Sequence, residues 1–339
     1  MTDVEQGRRA ILVTGAAGFI GSALCHRLHA LGRPVIGYDN LSRGRAEYLP
    51  PAIRLIEGDI RDAARLTGTM AAVEPECVVH LAAMHFIPDC IARPRDTLDV
   101  NVEGTKRVLE ACRTGAVRRV VFASSAAVYA PTDHPSVEDV TPVAPLEVYG
   151  ESKVAGEELV RAFHAETGIA ASILRMTNAI GRHETNPHVV PHIFESLQKS
   201  NVIALGNTAP ARDYIDTRDL AAAIVAVADD VDGIGVFNVG SGVTHSVAGV
   251  VDALGRLLGR PIEIVQEASR VRATERMLLA VDTTRIRRAT GWSAQLTLED
   301  ALADLVAAYG LRTAPVPTAE PFSATSPRLP RGAERRAGE

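Results

Sequence analysis

The stretch VTGAAGFIGS, Val13 to Ser22, spaces Gly15, Gly18 and Gly21 as G-x-x-G-x-x-G between an apolar run and an amphipathic one. The residues before it, AILVTG, read as a buried strand, and FIGSALCHRLHALG after it as a helix ended by Gly32. Gly15 permits the tight turn, Gly18 lets backbone approach a pyrophosphate, and Gly21 lets the helix pack close to the strand. The helix N-terminus adds free N–H groups and the positive end of its dipole. Three glycines alone also fit a plain turn. The next strand, PVIGYD, ends at Asp39, 18 residues past Gly21, where a carboxylate can take both hydroxyls of a ribose. That carboxylate repels a 2′-phosphate, so NAD is expected rather than NADP, although Arg43 keeps the phosphorylated form in view.

Outward from this unit the same rhythm continues. IRLIEGD, CVVHLAA, RVVFASS and ASILRMTN are short apolar runs separated by helical patterns such as TLDVNVEGTKRVLEACRTG. Continuous apolar strands alternating with helices predict an α/β fold: a doubly wound parallel-sheet Rossmann domain covered on both faces. The pattern changes near Asn178, and we expect a smaller α/β substrate-binding domain. The expected boundaries are 9–177 for the nucleotide domain with a return segment at 213–240, then 178–212 and 241–312 for the substrate domain. Residues 313–339 carry five prolines and one aromatic residue, and predict a disordered tail.

Composition removes other classes. The 339 residues are 46% hydrophobic and 23% charged with net charge −5, and no Lys/Arg run suggests a nucleic-acid groove. Cys25, Cys77, Cys90 and Cys112 lie far apart, which suits free thiols in a reducing cytosol. No apolar run reaches the roughly 18 residues of a membrane helix, and MTDVEQGRRAILV lacks a secretory pattern, so a cytoplasmic protein without a membrane partner is expected.

Tyr149 and Lys153 in YGESK are four apart, which on a helix is about 40° of rotation and about 6 Å of rise, so both share one face. A free tyrosine titrates near about 10; a neighbouring ammonium and the positive nicotinamide of NAD favour the phenolate and make it a usable base. The pair Ser124–Ser125 ends a predicted strand 24 residues upstream of Tyr149, where a parallel sheet presents ligand-facing loops. With these residues in place the chain resembles the extended short-chain dehydrogenase/reductase family, and within it the NAD-dependent nucleotide-sugar epimerase/dehydratase group. The likeness runs from about Ala10 to Gly310 through VTGAAGFIG, DNLSRG, GDIRD, VVHLAA, NVEGT, FASSAAVY, YGESK, RDYID, FNVGSG and LEDAL.

The resemblance maps a catalytic Ser-Tyr-Lys set onto Ser125, Tyr149 and Lys153, leaving Ser124 as a strand-end hydrogen-bonder. It implies cofactor contacts at Gly15, Gly18, Phe19, Ile20, Gly21, Asp39, Asn40, Asp59, Ile60, Leu81, Ala82, Ala83, Asn101, Tyr149 and Lys153. Asp59 is placed to meet the adenine, and a loop cap is its other reading. His85 falls where UDP-galactose 4-epimerases carry a lysine near the nicotinamide ribose, so it is expected at both cofactor and substrate. Substrate contacts are implied for Ser125, Tyr149, Asn178, His188, Arg212, Arg272 and Glu275, with Thr177 replacing an aromatic residue and Glu275 an aspartate. The helices at 96–115 and 149–168 pair into a four-helix-bundle homodimer in the family.

HETNPHVVPH gathers His183, His188 and His192, but Pro187 and Pro191 interrupt helix geometry and no acid or thiol cluster completes the set. It is read as a substrate-domain loop whose Asn186 or His188 meets the sugar nucleotide, and no metal is expected. The positions after Ser125 hold Ala126 and Ala127. In the family, 4,6-dehydratases and uronic acid decarboxylases place acid/base groups there, and a methyl group cannot transfer a proton. The resemblance therefore implies a nucleotide-sugar 4-epimerase acting through a 4-keto intermediate on UDP-glucose/UDP-galactose or UDP-uronic acids. A nucleotide-sugar reductase, dehydrogenase or dehydratase is the alternative, and a non-catalytic NAD-binding regulator a further one.

Overall fold

The computed structural model describes residues 9–113, 115–270 and 276–312. The expected tail at 313–339, and Arg272 and Glu275, lie outside the described residues.

The strands are β1 (Ile11–Thr14), β2 (Val35–Asp39), β3 (Arg54–Glu57), β4 (Cys77–His80), β5 (Arg119–Ser125), β6 (Ala170–Met176), β7 (Asn178–Ile180), β8 (Val202–Leu205), β9 (Ala211–Asp216), β10 (Ile234–Val239), β11 (Thr244–Ser246), β12 (Glu263–Gln266) and β13 (Leu278–Leu279). The helices are α1 (Phe19–Ala30), α2 (Ala63–Val73), α3 (Ile87–Ala92), α4 (Pro94–Leu98), α5 (Gly104–Cys112), α6 (Val148–Thr167), α7 (Val189–Leu197), α8 (Thr217–Asp230), α9 (Val247–Leu258), α10 (Thr284–Thr290) and α11 (Leu298–Ala308).

Seven parallel strands form the main sheet in the order β10-β6-β5-β4-β1-β2-β3. β1 and β4 are buried along their whole length, as continuous apolar strands covered on both faces must be. One apolar core packs α1 and α8 on the first face through Leu24, Leu28, Leu220 and Ile224. The other joins the sheet to α2, α5 and α6 through Leu66, Met70, Val108, Val160 and Phe163. Gly156 in α6 makes that approach possible, since a Cβ there would lie 2.5 Å from the Phe122 ring. The strand order reverses between β1 and β4, so a crevice opens beyond their carboxyl ends, at Thr14 and His80.

The structure departs from expectation in two places. The segment Tyr214–Gly240 does not simply return to the main sheet. β9 pairs with β7, β11 and β13 in a separate small sheet, and only β10 rejoins β6. The apolar look of both strands is the same, so local pattern could not separate them. The helix expected at 96–115 is α4, one π-helical turn at Asp99–Glu103, and α5. The extra residue of a π turn reorients side chains locally, and here Asn101 is turned fully inward. A third core, with Ile193, Phe194, Leu254, Leu258, Leu302 and Leu305, joins α7, α9 and α11 outside the main sheet. All four cysteines are free and buried. Among the described residues no helix is long and apolar enough to cross a membrane.

Candidate active site

The glycine turn follows β1 as its spacing requires. Gly15 has φ of 71°, a left-handed conformation, and a Cβ on it would meet the Ala82 amide at 2.8 Å. A Cβ on Gly21 would lie 2.0 Å from the Gly15 carbonyl oxygen, so helix and turn touch backbone to backbone. Gly18 caps α1 with no side chain over it, leaving the first-turn N–H groups for an anion. Asp39 ends β2, and its carboxylate accepts from the Ala17 and Leu41 amides at 3.0 and 2.8 Å. It holds the turn in place and keeps a further lone pair on each oxygen. The close backbone packing and the terminal carboxylate fit a dinucleotide such as NAD, with Gly15, Gly18, Phe19, Ile20, Gly21 and Asp39 as its cradle.

Asp59 is more constrained than a free adenine contact. It accepts from Arg61 Nε and Nη2 and from Asn40 Nδ2 at 2.8–3.0 Å, and Arg61 holds its carboxyl well below the usual range. It thereby anchors Asn40 and the loop carrying the buried Ile60. Beyond β4, the Leu81–Ala83 loop is tied from beneath by His80. Thr105 Oγ1 donates to the Asn101 carbonyl, so it accepts from His80 Nε2 at 3.0 Å. His80 Nδ1 then accepts from Thr14 Oγ1 at 2.7 Å, and the Ala82 amide donates to that same hydroxyl. Burial pushes His80 down to about 3, which keeps this neutral tautomer. Asn101 completes the brace: its amide accepts from Met84 N and donates to Met84 O and Ser152 Oγ.

The catalytic candidates converge from β5 and α6. Ser125 ends β5, and its hydroxyl accepts from the Ala127 amide at 3.1 Å while lying within hydrogen-bonding reach of the Tyr149 phenol. Glu147 caps α6 by accepting from the Tyr149 and Gly150 amides, which fixes Tyr149 in the first turn. Lys153 donates to the Ala123 carbonyl at 2.8 Å, and its Nζ lies 5.8 Å from the Tyr149 ring centre. Burial lowers Lys153 to about 8. Burial also pushes the Tyr149 phenol well above its ordinary value, against the opposing hydrogen bond from Ser125. The expected lowering called on the Lys153 ammonium together with the positive nicotinamide of NAD, and burial of the phenol opposes it. Ser124 donates to Glu157 at 2.6 Å, and Glu157 also holds Arg175, burying an ion pair directly under the site. Ala126 and Ala127 are buried in a single 3₁₀ turn after Ser125, presenting methyl groups only.

The family model for the NAD dependent epimerase/dehydratase family matches residues 11–240. The chain belongs to this family. It is 37% identical to a UDP-glucose 4-epimerase of Mycolicibacterium smegmatis over 307 residues, covering 87% of this chain and 96% of that protein. A structure of UDP-glucose 4-epimerase with UDP-glucose from Thermotoga maritima superimposes with a TM-score of 0.83 at 26% identity, over 89% of this chain and 98% of the other. MoeE5 in complex with UDP-glucuronic acid and NAD gives a TM-score of 0.78 at 31% identity, over 88% and 97%.

Within this epimerase/dehydratase frame the remaining predicted residues are dispersed along the second layer. Asn178 opens β7 and is exposed, and Arg212 lies on β9 beside Arg276, whose charge it feels. Arg276 was not foreseen; its Nη1 donates to the Tyr129 carbonyl at 2.8 Å and its Nη2 to the Ala127 carbonyl at 3.4 Å, gripping the turn after Ser125. Glu147 was missed too, although an acid two residues before the tyrosine carries a capping signal.

The histidine-rich loop also needs correction. His183 stacks on Tyr48 at 4.0 Å and bonds Ser22, and His192 bonds the Ala204 carbonyl, so the expected trio is broken up. His188 instead meets Glu184 and His85. A carboxylate does complete a cluster here, contrary to the sequence reading. The acid, Glu184, stands in that stretch itself, four residues before His188, and the partner that spacing could not supply was His85, about a hundred residues away.

Proposed function

We infer that the protein is an NAD-dependent nucleotide-sugar 4-epimerase working through a transient 4-keto intermediate, with a UDP-linked hexose or hexuronate as substrate. The observation that carries this reading is the Ser125–Tyr149–Lys153 set beside a turn whose next two side chains, Ala126 and Ala127, can neither donate nor accept a proton. Supporting it, the relative from Mycolicibacterium smegmatis is a UDP-glucose 4-epimerase, the solved one from Thermotoga maritima holds UDP-glucose, and MoeE5 holds UDP-glucuronic acid and NAD.

Tyr149 takes the proton of the C4 hydroxyl, and Ser125 holds the same oxygen by a hydrogen bond. Lys153, fixed by the Ala123 carbonyl, places its positive charge beside both the phenol and the nicotinamide ribose. NAD, when bound, supplies hydride acceptance at C4 and the return of hydride to the other face. Tyr149 then gives its proton back, so no second acid is required. Arg212 and Arg276 supply positive charge for the diphosphate. Asn178, His85, His188, Arg272 and Glu275 are assigned to the nucleotide sugar by resemblance. The substrate-holding part comprises 178–212 and 241–312, and β9 adds to it from the segment expected in the cofactor part. The reading extends to a cytoplasmic homodimer; Ile91 and Leu98, exposed on α3 and α4 beside α6, support an apolar contact there.

The test is incubation with UDP-glucose, UDP-N-acetylglucosamine and UDP-glucuronate, with products followed by NMR. C4 epimers are expected, with NAD remaining bound through purification. A 4-keto-6-deoxy sugar or a pentose overturns the reading, and stoichiometric exchange of cofactor with solution favours a net reductase or dehydrogenase.

A further inference from the structure

His85 lies on the loop after β4, while Glu184 and His188 lie on the loop between β7 and α7. One donor atom from each falls within 4.8 Å of the other two, and all three side chains are partly buried. His188 Nδ1 is 3.1 Å from Glu184 Oε2, and the imidazoles of His85 and His188 meet edge to face at 5.8 Å. Asn186 organises the group. Its backbone N–H donates to Glu184 Oε1 at 2.9 Å, and its side-chain Nδ2 contacts His85 Nε2 at 2.9 Å. His85 also hydrogen-bonds the Ala83 backbone. With Nε2 turned to Asn186, that bond uses Nδ1, which fixes the ring and leaves the Nε2 lone pair accepting from the Asn186 amide.

We propose that His85, Glu184 and His188 form a binding site for one divalent transition-metal ion of the zinc, cobalt or nickel class. Two imidazoles and one carboxylate are a borderline donor set, suited to these ions and poorly suited to magnesium or calcium, which take mainly oxygen ligands. Tetrahedral bonds of about 2.1 Å put neighbouring ligand atoms about 3.4 Å apart. The Glu184–His188 separation of 3.1 Å already meets that, and from the 4.8 Å limit the third ligand reaches it by closing at most about 1.4 Å. In doing so His85 exchanges one neutral amide contact with Asn186 for the metal. The tie to Ala83 is the outer hydrogen bond that metal-bound histidines use to hold their orientation. Three protein ligands leave at least one coordination position open, as in sites that bind a further oxygen ligand rather than purely structural ones. The site rests on the reading above, and in it the metal rather than the free imidazoles of His85 and His188 meets the nucleotide sugar.

The proposal is tested with the untagged full-length protein carrying its bound NAD, freed of metal by a chelator and titrated with Co²⁺. One equivalent is expected to bind with visible d–d absorption, to be displaced by Zn²⁺ and to resist excess Mg²⁺. Glu184→Gln and His85→Gln are each expected to weaken Co²⁺ binding by about 100-fold or more, at least the loss seen for outer-shell partners of metal sites. His192→Ala, outside the cluster, is expected to bind as the parent does. Asn186→Ala keeps all three ligands and removes the competing amide, so it should bind at least as tightly as the parent even where the other variants fold poorly. Absence of d–d absorption, a band that survives both ligand substitutions, or weakened binding in Asn186→Ala overturns the proposal.

Discussion

Acid should destabilise this protein in a window set by His80. The ring is buried between β1 and the π turn, with Nε2–H donating to Thr105 and Nδ1 accepting from Thr14. Burial moves its pKa from the ordinary 6.5 to about 3, so below neutrality the unfolded chain binds a proton that the folded one refuses. This contribution is complete above the unfolded value and is lost as pH falls from there toward the folded one. Between pH 7 and pH 5 the loss comes to about 2 kcal/mol at about 1.4 kcal/mol per pKa unit, and it grows further toward pH 3. The assay is urea unfolding at both pH values under saturating NAD, with the parent protein and the His80→Gln variant side by side. Gln can donate and accept but does not titrate, so the variant should lose about 2 kcal/mol less on acidification than the parent. Parallel losses in the two proteins would refute the reasoning. In the folded protein the ring takes up a proton, and gives up its acceptor bond from Thr14, only near its lowered value of about 3, so NAD affinity should hold between pH 7 and pH 5 and fall toward pH 3, because Thr14 receives the Ala82 amide of the loop after β4.

Tyr149→Phe should retain NAD and its folding transition while kcat falls by at least about 100-fold, the usual scale of a lost general base; unchanged kcat in the NMR assay would remove Tyr149 from its role. Glu157→Ala leaves Arg175 buried without its carboxylate and should cost about 3–5 kcal/mol, and adding Arg175→Met should recover part of that in a double-mutant cycle of unfolding free energies. Arg276→Ala should raise KM for the UDP-sugar more than it lowers kcat; an equal KM would show that the guanidinium serves only the turn it grips.

What could be read in advance was local. The glycine turn, the carboxylate ending β2 and the Tyr149–Lys153 pair each depend on residues within one strand–turn–helix unit, so spacing alone determines how they meet. The Ser124–Ser125 pair was legible because a parallel strand must end at the ligand-facing edge, and the choice of Ser125 came from the family resemblance. The rest depends on pairings across the chain. His80 takes its tautomer from Thr14 and Thr105, and Arg276 reaches the turn after Ser125 from about 150 residues away. The Asp99–Glu103 turn looked like uninterrupted helix because the demand for Asn101 to face inward comes from Met84 and Ser152, neither of which is on that helix. β9 left the main sheet for a like reason: strand propensity says that a segment pairs, not with which neighbour.

The placement of β10 has a consequence for how the polypeptide emerges from the ribosome. The outermost strand of the main sheet is supplied by residues 234–239, after α7, α8 and three strands of the other layers have been made. Until then the seven-residue β6 has one flank of open N–H and C=O groups, a ready template for another nascent chain. Synthesis therefore passes through a stage in which the glycine turn and the catalytic helix already exist but the sheet is still sticky along one side. Fragments ending before Ile234 should aggregate even though they carry every residue of the Ser-Tyr-Lys set, and stalled translation in this interval is where chaperone capture should be strongest.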